Sequence, residues 1–175
     1  ENKGKDSTIF LASGILRTLK IESCTFVQDY GGIYIDSFNN EIDIQHNNFI
    51  KTTEKSALTI NLPAKTSNII TVMFCIFDAC NGLNNQCFDI IVNTRDFKFM
   101  NNVLQNNIGN KHDSYFGSID CSDEIVTFEI SNITFINNVC KSLYGGGTGL
   151  QLKRIQQITI DECNYINNVA QQDNS

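Results

Sequence analysis

Tryptophan is absent, proline occurs once, and arginine occurs three times, at Arg17, Arg95 and Arg154. Thirteen basic residues against nineteen acidic ones leave a net charge of −6. A phosphate-binding surface needs clustered cations, so nucleic acid is not an expected partner. Histidine is scarce too: His46 and His112 lie far apart, neither near a cysteine at zinc-ligand spacing, and no CxxC occurs. No metal site and no cofactor is expected on that basis. No run approaches the roughly 20 apolar residues of a membrane span. The chain opens Glu-Asn-Lys-Gly-Lys, without an initiator Met or a signal-peptide pattern, so its start is expected to have been removed or to belong elsewhere. Charged residues make up only 18%, which argues against disorder, while 41% apolar residues suffice for a core.

What is abundant is asparagine, isoleucine and a long period. An apolar anchor is followed three positions later by Cys, Asn or Ile, and five positions later by an aromatic residue or Leu. The instances are Ile21, Cys24, Phe26; Ile44, Asn47, Phe49; Val72, Cys75, Phe77; Phe99, Asn102, Leu104; Ile130, Ile133, Phe135; and Ile160, Cys163, Tyr165. The anchors are 23, 28, 27, 31 and 30 residues apart while the internal offsets stay fixed. A fixed core with elastic spacing means stacked structure joined by loops, since doubling a loop costs only about 0.6 kcal/mol of closure entropy.

Within each repeat the local period is two, as in Ile42 and Ile44 or Phe97 and Phe99, which is a strand pattern. A second alternating run follows, at Ile33 and Ile35, Leu58 and Ile60, Phe88, Ile90 and Val92, Ile119 and Cys121, and Leu150 and Leu152. No amphipathic helix is readable, and hairpin punctuation between the runs is missing. Like residues at equivalent positions point to a solenoid rather than a sandwich. The expected fold is all-β: a right-handed parallel β-helix of about six coils with three strands per coil, roughly 29 Å long.

Stacking turns the motif into columns. Phe26, Phe49, Phe77, Leu104, Phe135 and Tyr165 form an aromatic one. Cys24, Asn47, Cys75, Asn102, Ile133 and Cys163 form a small inward one. Asp29, Thr52, Cys80, Asn107, Asn138 and Asn168 form a turn column, where Asn is expected to take up the left-handed backbone and to bond amide to amide along the rod. These columns read as packing rather than chemistry, and Asn84 and Asn85 as a solvated turn. Seven cysteines are an odd number, so at least one thiol is free. Cys80 and Cys87 bracket a short loop and either pair or stay reduced; Cys121 and Cys140 have no readable place.

FINN at 135–138 and YINN at 165–168, with GGIY at 31–34 and GGGTGL at 145–150, resemble the FxxN and GGA[ILV] repeats of the polymorphic outer-membrane-protein family. FVQD, FIKT, FDAC and LQNN depart from that pattern. The repeat frame is also similar to the pectate-lyase-like β-helix class, including long repeat proteins of protists. Either resemblance implies a surface-displayed, adhesin-like passenger and names no binding residue.

Catalysis in such a fold requires outward residues that converge from adjacent coils. The outward rows beside the anchors are Lys20, Asp43, Thr71, Lys98, Glu129, Thr159 and Glu22, Gln45, Met73, Met100, Ser131, Asp161. Their acids are too scattered for a calcium shell. Glu22 and Asp43 come within glycosidase range on neighbouring coils, yet nothing apolar surrounds them to raise one pKa. Polygalacturonase-type motifs are absent, NTRD at 93–96 being a superficial echo. Tyr34, Thr59, Asp89, Asp120 and Gln151 of the third strands form no constellation. Regular Thr rows and calcium-binding nonapeptides are missing; Asn132-Ile133-Thr134 is a lone glycosylation sequon with Ile133 inward.

The expectation is therefore a single β-helix segment over residues 1–175, part of a longer solenoid that continues at both ends. It carries no catalytic, cofactor or metal residues and acts as an extracellular or cell-surface scaffold, with a carbohydrate or a partner surface protein as its ligand. The competing expectation is a carbohydrate-active β-helix, an enzyme or a binding remnant of one.

Overall fold

The structure is a computed structural model that describes residues 9–14, 18–27, 31–38, 41–62, 69–82, 87–94, 96–109, 116–121, 127–142, 149–155 and 157–172. Asp29, Asn84, Asn85, His112 and the glycine-rich stretch 145–148 lie outside them.

Alternating apolar residues make strands with one buried face, and no helix occurs among the described residues. The anchor strands Thr18–Glu22, Glu41–Gln45, Ile69–Met73, Asp96–Met100, Thr127–Ser131 and Thr159–Asp161 form one six-stranded sheet. The short strands that carry the aromatic column form a second: Thr25–Val27, Asn48–Ile50, Ile76–Asp78, Val103–Gln105, Thr134–Ile136 and Asn164–Ile166. Ile9–Gly14, Ile33–Phe38, Leu58–Leu62, Phe88–Val92, Gly117–Cys121 and Leu150–Lys153 form the third. All pairings among the described residues are parallel, and each joins a strand to its equivalent in the next repeat. The chain is a parallel β-solenoid.

Three strands per coil is not what the structure shows throughout. Short fourth strands pair Thr53–Glu54 with Asn81–Gly82, Ile108–Gly109 with Val139–Ser142, and Val139–Ser142 in turn with Val169–Gln172. Residues 169–172 are thus a strand.

Register matches the sequence columns. Ile21, Ile44, Val72, Phe99, Ile130 and Ile160 lie opposite one another in turn, as do Phe26, Phe49, Phe77, Leu104, Phe135 and Tyr165. Phe26, Phe49 and Phe77 stack with ring centroids 5.0 Å apart, and Phe135 stacks on Tyr165 at 4.6 Å. Ile44, Phe49, Val72 and Phe77 are fully buried. In the last repeat the same columns are uncovered, with Ile160 at 56% and Tyr165 at 60% exposure.

The corners correct the reading of the turn column. Left-handed backbone falls two residues after each anchor, at Ser23, His46, Phe74, Asn101, Asn132 and Glu162. It falls again seven after, at Lys51, Ala79, Asn106, Asn137 and Asn167. The residue after each bend points inward instead. Asn47 Oδ1 accepts the Cys24 N–H at 2.9 Å, and its Nδ2 donates to the Ile21 carbonyl at 2.9 Å. Asn102 does the same to Cys75 and Val72, and Asn107 to Cys80 and Phe77. Asn107, Asn138 and Asn168 also bond amide to amide, at 3.0 and 2.9 Å. Thus the buried asparagines continue the backbone ladder around corners where the strands break.

Candidate functional site

Side chains on the outer faces are the ones free to meet another molecule. On the anchor sheet, Lys20 pairs with Glu22 at 2.8 Å; its hydrogen bond, then its charge, holds the Glu22 carboxyl below its usual range. Gln45 donates to Asp43 at 2.6 Å. Glu22 and Asp43 are therefore engaged by their own neighbours.

At one corner of this sheet Phe74 is 44% exposed on a left-handed backbone, and its ring lies 4.8 Å from His46 in nearly parallel planes. Other repeats place Ser, His, Asn or Glu there, so Phe74 is an apolar exception in a polar column. That departure is the signal that could have marked it from the sequence.

The third sheet holds a denser polar group. Its outer rows are Tyr34, Thr59, Asp89, Ser118, Gln151 and Asp36, Asn61, Ile91, Asp120, Lys153. Ser118, not Asp120, is the partner of Asp89, and Asp120 lies two residues further along the same face. The expected grouping of Asp120 with Asp89 in one row is thereby corrected by a shift of two. Ser118 is buried, and Gln151 Oε1 is shielded from solvent without a hydrogen-bond partner among the described residues. Asp89 is partly buried, and that burial, with repulsion from Asp120 and against the attraction of Lys153, raises its carboxyl above the usual range. Arg154 Nε meets Asp120 Oδ1 at 2.7 Å. So two carboxyls sit on adjacent strands in unlike settings: one sheltered and inclined to keep its proton, the other ion-paired. Such a pair can hydrogen-bond hydroxyl groups, and a raised carboxyl beside an ion-paired one is the arrangement of an acid and its partner.

Among the described residues no three His, Cys, Asp or Glu side chains come together to hold a metal ion. No helix among them is long and apolar enough to cross a membrane. In the sequon, Ile133 is buried and Asn132 exposed, its Nδ2 donating to Asn101 Oδ1 at 2.7 Å. Asn93 and Thr94 of NTRD are buried, so they do not form an outward motif. Comparison with protein-family models, with curated proteins and with solved structures finds no match. The parallel solenoid thus stands on its own geometry, and these comparisons lend no support to a pectate-lyase-like or outer-membrane-passenger identity.

Proposed function

We propose that this chain is a repeat-built scaffold. In this reading, six right-handed windings of β-helix hold unlike side chains outward along a stiff rod at the cell surface or outside the cell. The observation that carries the reading is the direction of the repeated residues. Phe49, Asn47, Phe77, Asn102 and Asn138, the residues that define the motif, are all buried, and the three asparagines are bonded to the coil before. The outward rows change from coil to coil, as in Lys20, Asp43, Thr71, Lys98 and Glu129. A repeating frame with a non-repeating surface suits presentation of a binding face rather than repetition of one chemical step. Six strands in each main sheet support the count of windings. The ligand classes that fit are a carbohydrate or a partner surface protein.

A glycan array probed with the protein, paired with a degradation assay on the same polysaccharides, tests this. Binding without turnover supports the scaffold; turnover overturns it.

One observation favours the second reading, a carbohydrate-active site: Asp89 and Asp120 face outward from neighbouring strands, with the Asp89 carboxyl raised by burial. If that pair catalyses, Asp89→Asn abolishes turnover and leaves glycan binding in place. Should turnover persist in Asp89→Asn, the pair is not the catalyst.

A further inference from the structure

Seven thiols occur in the folded chain, and the topology keeps almost all of them apart. Cys24, Cys75 and Cys163 occupy one column, but Asn47 separates the first two, and Asn102 and Ile133 separate the last two. Neighbouring strands are about 4.8 Å apart, so cysteines two coils apart in a column exceed the roughly 7 Å that a disulfide spans between Cα atoms. Cys121 lies opposite Val92 in the third sheet. Cys140 lies opposite Gly109 and Ala170 in the fourth-strand row.

Cys80 and Cys87 differ. Cys80 is in the inward turn column, where its Sγ donates to the Phe49 carbonyl at 3.3 Å. Cys87 leads into the strand Phe88–Val92, its backbone held by Phe116 and Ala57. Cys87 Sγ reaches the Cys80 carbonyl at 3.6 Å, and both residues are buried. A hydrogen bond between the two thiols holds the Cys80 thiol below its ordinary value, while burial pushes Cys87 well above.

We propose that oxidation joins Cys80 to Cys87 and leaves the other five cysteines as thiols. With a glutathione-type disulfide as oxidant, the Cys80 thiolate attacks one sulfur, forming a mixed disulfide and releasing one thiolate. Cys87, on losing its proton, attacks Cys80 Sγ and releases the second. Two electrons pass from the cysteines to the oxidant, and two protons end on the two released thiols. Because both sulfurs are buried in the native fold, the exchange belongs to refolding, before the pair is enclosed. The link ties the fourth-strand row at Asn81–Gly82 to the third sheet.

The test is a peptide map after the reduced, unfolded chain is refolded in oxidised and reduced glutathione, and in dithiothreitol alongside. Folded protein from each is unfolded in denaturant with the alkylating agent and cleaved before aspartate, which yields residues 78–88 with Cys80 and Cys87 as their only cysteines. In the glutathione sample that peptide should be unalkylated and two mass units lighter, with the other five cysteines alkylated. The oxidised protein should melt roughly 5–10 °C above the reduced one. Cys87→Ser should remove that difference. Alkylation of both cysteines, or a link from either to any other cysteine, overturns the proposal without reference to any variant.

Discussion

In Asn101-Asn102, Asn106-Asn107, Asn137-Asn138 and Asn167-Asn168, the first residue bends the chain and the second binds it to the coil before. Asn suits both tasks, because it tolerates left-handed backbone and carries a donor and an acceptor on one short side chain. Where the second position is cysteine, the thiol supplies only the donor. Cys75 Sγ reaches the Ile44 carbonyl at 3.7 Å, the same place in its coil that Asn102 Nδ2 reaches on Val72 at 2.9 Å. Cys75→Asn should therefore fold and melt no lower than the parent. Cys75→Ala leaves a buried carbonyl without that donor and should lose about 1–3 kcal/mol in denaturant unfolding. A lower melting point for Cys75→Asn than for Cys75→Ala would refute the equivalence. Burial also pushes the Cys75 thiol up from 9.0 to about 11. A pKa raised on folding means the stabilising contribution is intact below pH 9.0 and is lost as pH rises through the folded value of about 11. Denaturant titrations should show stability falling by about 2–3 kcal/mol across that window, and less in Cys75→Ala. The sequence located the inward column correctly, at a fixed offset from the anchors. In the turn column it assigned the left-handed bend to Asn107, Asn138 and Asn168 in place of Asn106, Asn137 and Asn167, because two adjacent asparagines look alike until the backbone separates them.

At the scale of the strand, the aromatic column is a stack of like elements with one gap. Leu104 stands between Phe77 and Phe135, and there Phe88 comes across from the third sheet to meet Phe77 at 5.4 Å and Phe99 at 4.8 Å. Its ring occupies the space over Gly117, its partner on the next strand; a methyl group at Gly117 would overlap that ring. Gly117→Ala should thus be destabilising by about 1–3 kcal/mol, measured by urea unfolding, and Phe88→Leu in the same chain should restore part of the loss. Additive losses in the double variant would show that the ring and the glycine are not coupled. The sequence made Phe88 a core residue by its alternation. It did not show that the ring crosses between sheets, since periodicity within a strand carries no information about which other sheet it meets.

For the whole molecule, anchors 23 to 31 residues apart become direct neighbours, so nearly all of the packing is between residues distant in sequence. Each fully buried Phe in such a core is worth about 1.5–3 kcal/mol; Tyr165, mostly exposed in the last repeat, gains little of that. The repeat frame was legible because stacking demands like residues at like positions, as Phe26, Phe49 and Phe77 show. The fourth strands were not, since two-residue segments such as Asn81–Gly82 are too short for any alternation. The outer face of the third sheet was misread by two positions, because Asp89 and Asp120 align by type while Ser118 aligns by register. Every conclusion about faces and columns rests on parallel, in-register stacking. Nuclear Overhauser contacts across Asn48–Ile50 and Ile76–Asp78 measure it most directly. Contacts between the Phe49 and Phe77 rings, with the amide-to-α-proton pattern of parallel strands, are the result expected. Close α-proton pairs of antiparallel strands, or no contact between those rings, would contradict the account.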